Sequence, residues 1–278
     1  MLSKLLKHEF RATGRVMLPI YAAVLALAVL ANLSIRFIQN TGSTFLRILF
    51  GLLIAAFVVS VIAAVIMTLV MMITRFYRNL LKDEGYLMHT LPVSVHGLVW
   101  SKLIVSCVWF MVTFLVVWLV ILLTGLIQTG TSLAQFIGGF PSWAEIRGML
   151  AQLDIRSGQL WALGLSFLAA AILGGLTSCL HFYASMSLGH MFSKDKVLLS
   201  IVFFVGISFV LSLLSTGYGS LVFRNYSDVE LVGGVEQIKE VLSLMQGITL
   251  RLLGMELVQG TVLYLATVLG LKKGLNLA

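Results

Sequence analysis

The sequence predicts an all-α, multi-pass membrane protein with six transmembrane helices. Three observations carry that prediction. The 278-residue chain is 59% apolar and 11% charged, with a mean hydropathy of +1.03, whereas soluble domains carry roughly 25% charged residues. Its apolar runs reach the roughly 20 residues that cross a hydrocarbon core of about 30 Å. With three prolines and no alternation over about 10 residues of the kind that marks a membrane β-strand, helices rather than a barrel satisfy the backbone in lipid.

Residues 1–13 place Leu2, Leu5, Leu6 and Phe10 on one helical face and Lys4, Lys7, His8 and Arg11 on the other. This pattern predicts a short interfacial elbow helix, with Lys4, Lys7 and Arg11 at the lipid headgroups. The first span is expected over about 16–35, with Pro19 in its opening turn. Ala26-Leu27-Ala28 lies in the middle of that apolar run rather than after it, so a cleaved signal is not expected.

The second span is expected over about 48–73 and the third over about 98–127, with Ser94 as N-cap just after Pro92. Residues 128–158 form a polar loop with its own helix, because Ser142 and Glu145 have capping-box spacing before the apolar stripe Ile146, Met149, Leu150 and Leu153. The fourth span, about 160–183, carries Ser166, Ala170, Gly174 and Ser178 at intervals of four, a ladder that lets helices approach closely in lipid. Ser193 is the expected cap of the fifth span, about 197–214. Residues 217–250 are a second polar excursion, with Ser227 and Glu230 at capping-box spacing and an amphipathic segment over Val235 to Met245, expected to be re-entrant or interfacial. The sixth span, about 252–271, ends on Lys272 and Lys273.

Six spans put both termini on one side. That side collects 12 of the Lys and Arg residues and the opposite side 7, so the termini are expected in the cytoplasm and the 128–158 and 217–250 loops outside. The net charge of +8 then reads as a topology signal, because the basic residues flank apolar runs instead of forming one patch, and no nucleic-acid partner is expected. The largest cytoplasmic segment is 75–102, a charged island between two spans.

The chain carries no nucleotide-binding, metal or hydrolytic signature. It has no Gly-Lys dipeptide and so no phosphate-cradling loop, no HExxH and no GxSxG. Cys107 and Cys179 lie in apolar runs with neither disulfide nor ligand spacing. His89 and His96 read as loop or surface contacts. No enzyme activity, bound cofactor or metal is expected of this chain. Glu256 is the one acid inside an expected span; five residues after Arg251 and near the outer end, it reads as an outer-leaflet charge in a salt bridge or headgroup contact.

The island contains Asp83-Glu84-Gly85-Tyr86-Leu87-Met88-His89-Thr90-Leu91-Pro92-Val93-Ser94, followed by Trp100-Ser101-Lys102. This run resembles the EGYL, TLPVS and downstream Lys pattern of bacterial ABC-2 type permeases, the membrane subunits of ATP-binding cassette transporters. The opening, LxKLLKHEFRATGRxxLP, is similar to the start of the same subfamily. The resemblance implies a type-2 exporter-like fold with an elbow helix, a coupling helix between spans two and three, and a short pair of helices before span six. It also implies a multi-pass protein of the bacterial cytoplasmic membrane that pairs with a second permease chain, identical or paralogous. Two copies of a separate cassette ATPase would bind the ATP and Mg. Glu84, Tyr86, Leu87, Met88, His89 and Leu91 would then be the ATPase-contact residues, a short helix of apolar and aromatic anchors ended by Pro92.

The apolar span composition suits hydrophobic or amphipathic cargo, peptide-like or lipid-like. Two other readings stay open on the sequence: an ATP-independent secondary transporter or channel, and a non-transporting subunit for sensing or peptide-antibiotic resistance.

Overall fold

The computed structural model describes residues 2–38, 41–82, 94–130, 135, 138–140, 142–152, 157–192, 194–224 and 235–273. Nearly all of those residues are helical, with no strand among them. The helices are α1 (Leu2–Ile38), α2 (Thr44–Phe76), α3 (Val95–Thr129), α4 (Trp143–Gln152), α5 (Ser157–Gly189), α6 (Lys196–Arg224) and α7 (Val235–Lys273). A π-helical turn, Tyr77–Leu81, continues α2. Six helices are long and apolar enough to cross a membrane, and each contains one of the six expected spans.

Two expectations about helix limits are revised. Residues 1–13 do not form a separate elbow; from Leu2 onward they open α1 without a break, which puts Pro19 in the helix interior. The physical reason is tertiary. Glu9, Thr13 and Met17 share one buried face, and Thr13 accepts a hydrogen bond from Trp109 Nε1 of α3 (2.7 Å), so the first turns are held in register with the span. The amphipathic segment from Val235 likewise runs unbroken into the last span, because no proline intervenes before Lys273. At about 1.5 Å per residue both helices exceed a core of about 30 Å, so they tilt or project beyond it.

Local signals set the ends. Ser94 caps α3, its Oγ accepting from Gly97 N (3.2 Å). Ser142 and Glu145 close a reciprocal capping box at the start of α4: Glu145 N donates to Ser142 Oγ (3.3 Å) and Ser142 N to Glu145 Oε2 (2.6 Å). Gly130, with φ of +70°, ends α3 in the left-handed conformation that glycine adopts without strain. At the same end Arg36 Nε donates to Ile127 O (3.0 Å), occupying a carbonyl that the helix terminus leaves open. The residue before α6 is Asp195, whose carbonyl accepts from Leu199 N (2.9 Å) and so closes the first turn. Ser193, Ser227 and Glu230 lie outside the described residues.

The chain divides into two compact units, Met1–Arg75 with Trp100–Phe140, and Phe76–Val99 with Pro141–Ala278. In the first, α1 and α3 run parallel along a polar seam. Thr113 Oγ1 lies 2.7 Å from Tyr21 OH and 2.8 Å from Thr68 Oγ1 of α2, and Asn32 Nδ2 donates to Thr124 Oγ1 (3.1 Å). Between these two polar levels Val24, Ala28, Ala64 and Val120 form an apolar plug.

In the second unit α5 and α7 also run parallel, at one register. A Cβ at Gly174 would lie 3.7 Å from Glu256 Oε1, one at Gly260 would lie 3.2 Å from Thr177 Oγ1, and one at Gly270 would lie 2.5 Å from Ser187 Oγ. Glycine on both sides of the seam, Gly174 on α5 and Gly260 and Gly270 on α7, is what allows the two backbones to approach.

Candidate functional site

All six expected contact residues, Glu84, Tyr86, Leu87, Met88, His89 and Leu91, fall in residues 83–93, outside the described residues. The residues on both sides of that segment are described, and each flank is built onto α5 or α7.

The first root begins at Phe76, which stacks on Tyr183 of α5 with ring centroids 4.0 Å apart and planes 10° from parallel; both side chains are fully buried. The π turn follows, closed by Lys82 N donating to Tyr77 O (3.1 Å). It buries Asn79, Leu80 and Leu81 in succession. In an α-helix at roughly 100° per residue, three successive residues would fan over some 200° and one would turn outward. The wider π turn re-aims them, and such turns recur at functional positions.

Tyr77 meets His190 edge-on at 5.2 Å. His190 ends α5, with Nδ1 donating to Met186 O (2.8 Å). Burial holds its imidazole below the usual histidine range; the Met186 carbonyl opposes that shift and the nearby Lys196 charge adds to it.

At the second root Lys272 Nζ donates to His96 Nε2 (3.4 Å), and the other ring nitrogen, Nδ1, donates to Tyr264 OH (2.7 Å). The start of α3 is thereby tied to the last turns of α7. His96 is the loop contact that the sequence suggests, and its partners lie 168 and 176 positions away.

A charge cluster occupies the first unit. Lys102, 3% exposed, donates to Glu9 Oε1, and Arg75 Nη1 lies 4.0 Å from Glu9 Oε2. These three, with Thr13, Thr68, Ser106 and Trp109, line a cavity of about 10 Å³, which is the volume of about one water. Sequence reasoning did not single out Glu9. The signal was present, since Glu9 is the first acid in the chain and the next is Asp83. Lys4, Lys7 and Arg11 are exposed on the same helix, away from this cluster.

Glu256 is placed differently from the expectation. It turns into the α5–α7 seam opposite Gly174, and its Oε2 is buried without a hydrogen-bond partner.

Among the described residues no group of His, Cys, Asp or Glu is arranged to hold a metal ion. No family model, curated protein or solved structure matches the chain.

Proposed function

We propose that this chain is the membrane permease subunit of an ABC-2 type exporter. In this reading it moves hydrophobic or amphipathic cargo, peptide-like or lipid-like, using ATP hydrolyzed by a separate cassette ATPase. The observation that carries the reading is the anchoring of both roots of the 83–93 loop. Phe76 and Tyr77 pack on Tyr183 and His190, while His96 is bonded to Tyr264 and Lys272. A loop bearing the EGYL and TLPVS motifs and rooted this way passes a displacement from a partner to two long helices without spending it in slack.

The family resemblance supplies the mechanism. Two permease chains pair in the bacterial cytoplasmic membrane with their termini and the 83–93 loops in the cytoplasm. Two ATPases close on ATP and draw the loops together. Glu84, Tyr86, Leu87, Met88, His89 and Leu91 are the contact residues, and the differential contact of the ATPase with the two states shifts the helices from one arrangement to the other. This chain supplies no catalytic group; Mg and ATP belong to the partner. Lys4, Lys7 and Arg11 lie against headgroups at the start of α1.

The test is co-purification of the chain with its candidate cassette ATPase, followed by ATPase assay of Tyr86→Ala and Leu87→Asp. The reading expects a complex whose hydrolysis is uncoupled or whose ATPase detaches in the variants. An unchanged complex with parental hydrolysis refutes it. One observation favours a second reading, an ATP-independent transporter: the unpartnered carboxylate of Glu256 within α7.

A further inference from the structure

Every buried side-chain nitrogen or oxygen in the described residues has a hydrogen-bond partner except Glu256 Oε2. The carboxylate sits near the midpoint of α7, inside a seam whose register is fixed toward the C-terminal ends of both helices by Gly260 on Thr177 and Gly270 on Ser187.

Among the described residues no Lys or Arg forms an ion pair with Glu256. Between Ser157 and Gly189, α5 contains no Lys, Arg, Asp or Glu, and opposite Glu256 it presents Gly174. His181, two turns farther along α5, is bonded to Ser208 Oγ (3.2 Å) and Phe204 O (3.3 Å) of α6. In α6, Ser215 accepts from Gln259 (3.2 Å), and the Tyr218 hydroxyl donates to Arg251 O (3.2 Å). Arg251 itself, five residues before Glu256, stands roughly 140° around the helix from it. A carboxylate with one oxygen, Oε2, shut away from solvent and unbonded inside a membrane-crossing helix is costly unless a positive charge meets it.

We propose that Glu256 is a monocation site, at which the α5–α7 seam takes up one positive charge from outside the chain. A carbon built on Gly174 would stand 3.7 Å from Oε1, ordinary contact distance, so between α5 and the carboxylate there is room for about one atom. The ligand is therefore of atomic size, a proton or a bare alkali ion, and not the headgroup of a cargo molecule. Charging and discharging this site changes how tightly α5 packs on α7, the two helices that hold the loop roots. The site does not depend on the ATPase reading.

The experiment uses the full chain in lipid nanodiscs. One arm follows the unfolding midpoint as choline chloride is exchanged for sodium or potassium chloride at fixed pH and ionic strength. The other follows the infrared band of a protonated carboxyl group across pH. The parent is expected to respond in one arm, which identifies the ion, and Glu256→Gln to lose that response.

Gly174→Ser provides an independent check that leaves the carboxylate in place. A Cβ there lies 3.7 Å from Oε1, so the serine hydroxyl reaches Glu256 as a neutral donor, and the ion response is expected to weaken. If the parent responds in neither arm, or responds as Glu256→Gln and Gly174→Ser do, the site does not exist.

Discussion

Lys102 and Glu9, 93 positions apart, close a buried ion pair that ties the first turns of α1 to the first turns of α3. Arg75, 4.0 Å from the other carboxylate oxygen, brings the end of α2 to the same point. Three helices thus converge on one acid. Removing one partner of a buried pair strands the other charge, whereas replacing both with neutral groups is nearly without cost.

Lys102→Met is therefore expected to destabilise the chain by about 3 kcal/mol, and Glu9→Gln combined with Lys102→Met by much less than the sum of the single changes. Reversible unfolding in mixed micelles measures all three. Additive costs would mean that the pair does not act as a unit.

Glycine positions separate by what a methyl group would meet. A Cβ at Gly189 would lie 2.5 Å from Ser200 N and 2.6 Å from Ser200 Cα, atoms of the α6 backbone that cannot rotate away. Gly189→Ala is expected to cost about 2 kcal/mol or more through overpacking. Gly206→Ala, where nothing lies within 4 Å, is expected to be neutral or to stabilise by up to about 1 kcal/mol through helix propensity. Unfolding midpoints of the two variants are expected to move in opposite directions from each other or, at the least, to differ by this margin.

The lowered affinity of His190 for protons sets a pH dependence. Its folded-state value lies below the ordinary imidazole value of 6.5. Neutral His190 thus contributes stability that is fully present above that value and is lost as pH falls through the lower, folded-state one. The unfolding midpoint is expected to decline on acidification below about pH 6.5, and His190→Gln to flatten that decline. A parental slope in the variant would assign the dependence to another group.

The stack of Phe76 on Tyr183 should be worth more than burial alone. Phe76→Ala is expected to cost about 3–5 kcal/mol. A double-mutant cycle of Phe76→Leu with Tyr183→Leu should return a coupling of about 0.5–1.5 kcal/mol. A coupling near zero would leave the rings as independent core residues.

His96 tests transmission through the second root. In the permease reading, His96→Ala and Tyr264→Phe break the bond between α3 and α7 without touching the 83–93 loop. The ATPase should still co-purify, while cargo-dependent hydrolysis falls. Parental stimulation in both variants would place transmission elsewhere.

Signals that act within a few residues were legible in the sequence. The six long apolar helices, the Ser94 cap and the Ser142–Glu145 box each depend on one continuous stretch, because run length and a side chain reaching its own helix end are local properties. The loop motif is local too, and so is the resemblance built on it. What the tertiary structure alone decided are the long-range pairings. Nothing near Glu9 announces Lys102, and nothing near His96 announces Tyr264. The small-residue ladder of α5 promises a close helix approach without saying that the partner is α7, or that Gly174 faces a carboxylate. Composition could place Glu256 in a span but not turn it away from Arg251 and into the seam. The missing elbow has the same origin: residues 1–13 read alone prefer an interface, and contacts with α3, about 90 positions later, hold them as the first turns of a longer helix. Local sequence sets which segments become helices and where several of them end; which faces meet, and at what register, follows from packing across separations that no window of the sequence contains.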